Sequence, residues 1–305
     1  MLSSPHISFL SLVAYAYVTN LGCVVSQFTM ASSGDSHESL TDEEIRKLLK
    51  PHPTIEEARE AFQKGYAKVD QIVTIVRELD SYDDKNYLVD ISGTLYLGKV
   101  HNGCESKDFL DHLDKKQYEK SIIHLQNAMI ECLSQHGIST STPQPSNDEN
   151  IPTPAIIHPL PVVSKDHSPC PLVVRLLRWV PGKPMSTVEV LPIETLADAG
   201  RVLGRVSQAL SNLPTDKLLA AKRYHQWDGK NTIHLRSFIQ HIPDQRRQSI
   251  ITSIVDAFQR EIVDSGVSDS FPIGMLHGDY NDANILVDNE LRISGVLDFG
   301  DSVER

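Results

Sequence analysis

The chain of 305 residues contains few cysteines and few positive charges. Its four cysteines include no C-x-x-C pair, so neither a disulfide framework nor a thiolate zinc site is expected. The sequence also lacks an Asn-x-Ser/Thr glycosylation sequon. The 29 Lys and Arg residues are outnumbered by 40 Asp and Glu, and the net charge of −11 argues against nucleic acid or an anionic membrane as partner. Together these absences favour a reduced, cytoplasmic location.

One long apolar run lies near the N-terminus, from Ile7 to Phe28. With about twenty residues it is nominally long enough to cross a bilayer. It lacks the Lys/Arg region that precedes a signal-peptide core, and polar residues interrupt it. We interpret it as an alternative or mistaken initiation segment ahead of Met30, with a signal-anchor as the other reading. Residues 1–52 are expected to form a poorly ordered extension, apolar at first and then polar.

The most informative segment is H-G-D-Y-N-D-A-N, which starts at His277 and is followed by D-F-G at Asp298. Protein kinases carry H-R-D-x-x-x-x-N and then D-F-G, where the first Asp accepts the hydroxyl proton and the Asn and second Asp hold magnesium. The spacing here is the same, with Gly in place of Arg. The sequence therefore predicts phosphoryl transfer, with Asp279 as base, Asn284 and Asp298 as Mg²⁺ ligands, and His277 supporting the catalytic loop.

The chemistry explains why these residue types are needed. A transferring phosphoryl group spreads negative charge over its oxygens, so catalysis consists mainly of positioning and cation stabilisation. Carboxylate and amide oxygens are hard ligands that suit magnesium. Two apolar stretches, 285–287 and 293–297, lie between Asn284 and Asp298 and predict a β-hairpin. D-F-G alone is a common tripeptide, but six constrained positions around this hairpin favour function over coincidence.

At this point a resemblance becomes specific. H-G-D-x-x-x-x-N with D-F-G-D resembles the aminoglycoside phosphotransferase-like superfamily of small-molecule kinases, and within it the hydroxylysine kinases. Two further stretches match, L-D-S-Y-D-D-K-N-Y-L-V at 79–89 and V-R-L-L-R-W-V-P-G-K-P at 174–184. The resemblance runs from about Pro53 to Asp301. It implies a two-lobed, protein-kinase-like α+β fold that transfers the γ-phosphoryl group of GTP, or alternatively ATP, to the hydroxyl of 5-hydroxy-L-lysine in lysine degradation.

The domain organisation follows from this resemblance. Residues 53–180 are expected to form a small, antiparallel-sheet N-lobe that binds the nucleotide. Residues 181–305 are expected to form a mainly helical C-lobe with the catalytic loop and D-F-G segment. The chain stops soon after Gly300, whereas the resembling kinases continue with further helices. We therefore expect the C-lobe to be incomplete.

The N-lobe opens with three short β-type runs joined as an antiparallel meander, at 71–79, 86–91 and 94–100. The turn at 81–85 lies where a kinase has its Gly-rich loop, yet it contains no glycine. By resemblance, Ser81 and Asn86 are candidates for the nucleotide site. By the same resemblance, Lys99 is the lysine that grips the donor phosphates.

A helix is expected next, since apolar residues recur at three- and four-residue steps at Tyr118, Ile122, Leu125, Met129 and Cys132. The resemblance implies a glutamate on this helix that pairs with Lys99. The alignment instead places His124 there, while Glu119 and Glu131 lie elsewhere. We expect Lys99 either to lack this partner or to take Glu119 after a small shift.

Residues 139–171 are rich in Pro, Ser, Thr and Asn. Because proline suits edge strands and loops, this interval is expected to be a surface insertion in the N-lobe. An apolar strand follows and breaks at Pro181-Gly182, as an interlobe hinge would. By resemblance, backbone groups near Arg178 and Val180 meet the purine edge. Two amphipathic helices are then expected, at about 196–213 and 250–262.

Three hypotheses remain open. The first is a magnesium-dependent kinase of 5-hydroxylysine. The second is a superfamily kinase of another hydroxylated amine, such as an aminoglycoside, choline, ethanolamine or homoserine. The third is a non-catalytic nucleotide-binding isoform. In each case the expected partners are small molecules and a nucleotide, with no nucleic acid and no membrane unless residues 7–28 act as an anchor.

Overall fold

The computed structural model describes residues 42–151, 153–164, 168–213, 219–225 and 228–304. The chain divides into two compact units. The first comprises the residues up to Asn127 together with Thr140–Val180, and the second comprises Ala128–Ser139 and the chain from Pro181 onwards. The apolar run at 7–28 lies outside the described residues. Among the residues that are described, no helix is long and apolar enough to cross a membrane.

The first unit is built on a five-stranded antiparallel sheet in the order β1-β2-β3-β5-β4. The strands are β1 Val73–Leu79, β2 Lys85–Ile91, β3 Thr94–Val100, β4 Ile156–Pro161 and β5 Pro169–Arg178. The predicted meander is present, and its Ser92-Gly93 turn has positive φ at both residues.

The described residues of the first unit also form four helices, of which all but the first pack against the sheet. They are α1 Asp42–Leu48, α2 Ile55–Tyr66, α3 Gly103–Asp114 and the first part of α4 Ile122–Gln135. Alternate residues of β5 contribute to two clusters: Val174 packs with Phe62 and Tyr66 of α2, whereas Val173 packs with Phe109 of α3 and Ile123 of α4. β5 is therefore buried on both faces, which explains its almost unbroken apolar sequence.

Helix α2 begins at a capping box in which Thr54 and Glu57 exchange hydrogen bonds. Its Phe62 lies directly over β3 at Gly98, where a Cβ would approach the ring to 2.4 Å. The strand therefore requires glycine next to Lys99, because a larger residue would displace the helix from the sheet.

The prediction that residues 1–52 form a poorly ordered extension is wrong for the last of these residues. Asp42–Leu48 forms helix α1, Leu49 is buried, and Pro51 pairs with Val162 beside the sheet. The segment is ordered because it supplies one apolar side chain to the core and several charged side chains to the turn after β1. Residues 1–41 lie outside the described part of the chain.

The expected surface insertion at 139–171 also differs from what is observed. Residues 156–161 form the edge strand β4, whose Ile156 and Leu160 are buried in the core. Residues 142 and 144 bond to β5 through Arg178 N–H to Thr142 O at 2.8 Å and Gln144 N–H to Leu176 O at 2.8 Å. The prolines are accommodated because an edge strand needs only half of its backbone donors.

The second unit contains two small antiparallel sheets and two long helices. Its strands are β6 Lys183–Pro184, β7 Met275–Leu276, β8 Ile285–Val287, β9 Ile293–Val296 and β10 Val303–Glu304, and its helices are α5 Ile193–Leu210 and α6 Gln245–Phe258. The remainder of α4 also belongs to it. The β8–β9 hairpin predicted between Asn284 and Asp298 is present. Its Ile285 and Val287 pack on Ala199 of α5.

Candidate active site

The catalytic loop connects β7 to β8 and brings Asp279 and Asn284 together. The amide of Asn284 donates to Asp279 Oδ2 at 2.7 Å and to the Asp279 carbonyl at 3.0 Å. Asn281 donates to the other carboxylate oxygen, also at 2.7 Å. Because both oxygens accept hydrogen bonds, the Asp279 carboxylate is fixed in orientation.

His277 joins this loop to the segment that contains the second aspartate. Its Nε2 donates to the Leu297 carbonyl at 3.0 Å, and its Nδ1 accepts from the Asp279 N–H at 3.3 Å. The ring also packs against Phe299, with centroids 4.8 Å apart. Burial lowers the pKa of His277 below its ordinary value, so the ring is neutral and supports the loop by hydrogen bonding.

Gly278 occupies the position of the Arg in the protein-kinase motif. Its φ is +86°, and a Cβ here would lie 2.1 Å from the carbonyl oxygen of Asp301. Both observations require glycine, since a side chain would meet strain and a backbone collision together. The close approach is what places the catalytic loop directly against the D-F-G-D segment.

Asp298 has a positive φ of +58°, which is uncommon for a residue other than glycine. The preceding Leu297 donates its N–H to the Asn284 carbonyl at 2.8 Å and accepts from His277 through its own carbonyl. The hydrogen bond between Leu297 and Asn284 therefore links the backbones of the two predicted metal ligands, because Asp298 directly follows Leu297. Strained backbone of this kind is concentrated at functional sites.

The segment after Asp298 is anchored by two residues that are not among the predicted site residues. The guanidinium of Arg223 donates to the carbonyls of Gly300 at 2.6 Å and Ser302 at 2.8 Å. His225 lies 3.1 Å from a carboxylate oxygen of Asp301. These contacts fix the backbone that follows Asp298.

The donor set fits magnesium better than a transition metal. In the described residues no group of three or more His, Cys, Asp or Glu side chains could hold a metal by itself. Magnesium bound with a nucleotide needs only one or two protein oxygens beside phosphate and water. Asn284, whose amide nitrogen is turned towards Asp279, and Asp298 would supply such oxygens.

The first unit contains the other predicted site residues. Lys99 on β3 pairs with Asp84 of the turn between β1 and β2, with Nζ 2.6 Å from Oδ2. Asn86 lies directly opposite Lys99 in the β2–β3 register, and its buried Oδ1 has no hydrogen-bond partner within the described residues. Ser81 lies on the same turn as Asp84, where its carbonyl accepts from Lys50 at 3.0 Å.

The two candidates for the purine edge lie at the end of the first unit. Arg178 is exposed, and its N–H is already used by Thr142. Val180 is buried and is the last residue of the unit. The structure thus brings Lys99, Asn86 and Ser81 to one region of the first unit, with Arg178 at the end of β5.

The alternative in which Lys99 takes Glu119 was wrong, because Lys99 pairs with Asp84. The other alternative, that Lys99 does without the helix glutamate implied by the resemblance, agrees with this pairing. His124, at the aligned position on α4, packs edge-on against Tyr118 with centroids 5.5 Å apart, and burial lowers its pKa. The sequence did not reveal Asp84, since pairing across a turn depends on the register of three strands.

Acidification should destabilise the chain through its buried histidines. Burial lowers the pKa of His101 and His277 in the folded chain, whereas in the unfolded chain they titrate near 6.5. Below pH 6.5 the unfolded state therefore binds more protons, and the free energy of unfolding falls until the folded pKa is reached. Urea titrations between pH 7.5 and 5 should show this decline.

Buried carboxylates also contribute to the pH dependence of the free energy of unfolding. Burial raises the pKa of Glu105, for example, so its contribution has the opposite sign to that of the histidines. A matched pair of substitutions isolates the histidine contribution. His277→Gln should flatten the decline between pH 6.5 and 5.5, and His234→Gln, at an exposed histidine, should not. Identical slopes for His277→Gln and the unsubstituted chain would contradict the assignment.

The matches to known proteins agree with this geometry. The model of the phosphotransferase enzyme family matches residues 112–303. The chain is 26% identical over 240 residues to a hydroxylysine kinase of Bos taurus, and the match covers 75% of this chain and 60% of the relative. A hydroxylysine kinase of Danio rerio is 25% identical with the same coverage. The chain thus spans about 60% of the length of the curated relatives that it matches.

Solved structures show the same fold. The GDP complex of an aminoglycoside 2'-phosphotransferase has a TM-score of 0.52 at 15% identity, covering 82% of this chain and 73% of that chain. A microcompartment-associated aminopropanol kinase has a TM-score of 0.50 at 16% identity, covering 82% and 70%. The α+β, kinase-like fold expected from the sequence is confirmed. Because the family model spans more than half of its residues, this chain belongs to the phosphotransferase enzyme family.

Proposed function

We propose that this chain is a magnesium-dependent small-molecule kinase that transfers the γ-phosphoryl group of GTP to the hydroxyl of 5-hydroxy-L-lysine. The observation that carries the chemistry is the Asp279 carboxylate, held at both oxygens by amides and placed beside a candidate metal ligand. The acceptor is proposed from the relatives, which are hydroxylysine kinases.

Each residue then has a defined role. Asp279 accepts the proton of the acceptor hydroxyl. The hydroxyl oxygen then forms its bond to the γ-phosphorus, while the bond between the γ-phosphorus and the leaving nucleoside diphosphate breaks. Lys99 provides positive charge for the donor phosphates. Asn284 and Asp298 would hold magnesium, which neutralises phosphate charge when it is bound. His277 stays neutral and keeps Asp279 next to the Asp298 segment.

GTP is proposed as the donor by analogy with the family, with ATP as the alternative. Related structures have been determined with GDP and, for a spectinomycin phosphotransferase, with ADP. Recognition of the base by backbone groups near Arg178 and Val180, a cytoplasmic location and a place in lysine degradation are parts of the same proposal.

The test is a turnover assay on the purified chain with magnesium, GTP or ATP, and 5-hydroxy-L-lysine. Nucleoside diphosphate release and the phosphorylated acceptor, identified by mass spectrometry, are measured together. L-Lysine is the matched control because it lacks only the hydroxyl. We expect phosphorylated hydroxylysine, faster turnover with GTP, and no product from lysine.

The other hypotheses give different results in the same assay. Turnover only with homoserine, ethanolamine, choline or an aminoglycoside would replace the acceptor and keep the reaction class. A thermal melt raised by nucleotide without turnover on any acceptor would contradict catalysis and support a nucleotide-binding role.

A further inference from the structure

The ion pair between Lys99 and Asp84 is nearly buried. Their side chains are 12% and 14% exposed, and Nζ lies 2.6 Å from Oδ2. An ion pair at this depth is screened little by solvent, so its geometry is much better defined than that of a surface pair. Asp84 belongs to the glycine-free turn between β1 and β2 and not to a helix.

At this face of the sheet, the polar side chains of helix α4 bind another cation, Arg175. Arg175 lies directly opposite Lys99 in the β3–β5 register, so both side chains are on the same face. Arg175 donates to Asn127 and Gln126 of α4, both at 2.5 Å, and to His101 at 2.8 Å. The side chains that α4 offers at this point are neutral amides bound to Arg175.

Asp84 is itself held in place by the backbone and by helix α1. Its Oδ1 accepts from the Asn102 N–H at 2.8 Å. The preceding turn residues are anchored by Lys50, which donates to the Tyr82 carbonyl at 2.6 Å, and by Arg46, which pairs with Asp83 at 2.7 Å. A carboxylate fixed in this way can hold a lysine at a set position.

We infer that Asp84 is the positioning residue for Lys99. It lies on the turn and takes the role of the glutamate that the resemblance places on the helix. This inference rests on the proposed function insofar as Lys99 is to meet donor phosphates. Asp84 limits the movement of the Lys99 ammonium to a small region beside Asn86. The turn thereby has a role that does not require glycine.

Asp84→Asn separates charge from structure. Asparagine Oδ1 can still accept from the Asn102 N–H, while the negative charge facing Lys99 is lost. Without this partner the ammonium should leave its nearly buried position, so that labelling of Lys99 by an amine-reactive acylating reagent, followed by peptide mass spectrometry, is about ten-fold faster or more. Asp84→Glu, which keeps the charge, should restore most of the protection.

A second ion pair in the same sheet provides the matched control. Lys85 pairs with Glu78 at 2.5 Å. Glu78→Gln should alter labelling at Lys85 and leave Lys99 unchanged, whereas Asp84→Asn should do the reverse. Equal labelling of Lys99 in Asp84→Asn and the unsubstituted chain would overturn the inference, with or without enzyme activity.

Kinetics test the role at the nucleotide. Asp84→Asn should raise KM for the nucleotide about ten-fold and leave KM for the acceptor unchanged, and Asp84→Glu should recover part of the loss. An unchanged nucleotide KM beside faster labelling would overturn that role. If labelling changes as expected but the unsubstituted chain neither binds nucleotide nor turns over, the ion pair stands and the proposed function fails.

Discussion

Asp279→Asn should lower kcat by about 10²–10⁴-fold while leaving nucleotide affinity nearly unchanged. Asparagine has almost the same shape and can still accept the Asn281 or Asn284 amide through its remaining carbonyl oxygen, so the loop should keep its conformation. What it loses is the capacity to accept the hydroxyl proton. The measurement is single-turnover phosphorylation of the acceptor, compared with nucleotide titration by calorimetry.

Asp298→Asn is the matched comparison, because this residue is proposed to hold magnesium. Its substitution should weaken binding of the magnesium–nucleotide complex as well as turnover, and raising the magnesium concentration should recover part of the activity. Equal loss of nucleotide binding in Asp279→Asn and Asp298→Asn would contradict the division of roles between the two aspartates.

Gly278→Ala should be the most damaging small substitution in the second unit. The added Cβ would meet the Asp301 carbonyl oxygen at 2.1 Å, and alanine disfavours a φ of +86°. Strain and the required backbone shift should together lower the free energy of unfolding by about 2–5 kcal/mol. Turnover should also fall, since the shift separates His277 and Asp279 from the segment around Asp298.

Two other glycines provide controls for this prediction. Gly200 and Gly204 lie in helix α5, and a Cβ added at either one would meet no atom within 4 Å. Alanine at either position should raise the free energy of unfolding by about 0.5–1 kcal/mol, because glycine is unfavourable inside a helix. Urea denaturation of all three variants measures the difference. A neutral Gly278→Ala would show that the loop can move away from Asp301 without cost.

Much of the fold could be predicted from local sequence. The β1–β3 meander and the β8–β9 hairpin were predicted because apolar runs separated by turn residues define them within a few positions. The residues of the catalytic loop could be predicted from their spacing alone, since His277, Asp279 and Asn284 interact across one short loop.

The remaining features depend on contacts between distant segments. Helix α1 is short and highly charged, so its sequence carries little apolar periodicity, and α3 buries only a few apolar side chains, among them Phe109 and Leu110. The pairing of Lys99 with Asp84 depends on strand register and on a turn whose sequence has no glycine. Arg223 lies in a segment without any motif, and only the structure shows that it donates to Gly300 and Ser302.

Helix α1 has a practical consequence for protein engineering. Arg46 of this helix and Lys50, just after its end, hold the turn that contains Asp84, although the family model begins only at residue 112. A fragment trimmed to the shared family segment, or one starting after α1, would lose that support while retaining every motif residue of the catalytic loop. Affinity tags and fusion partners therefore belong upstream of Asp42, separated by a flexible Gly/Ser spacer.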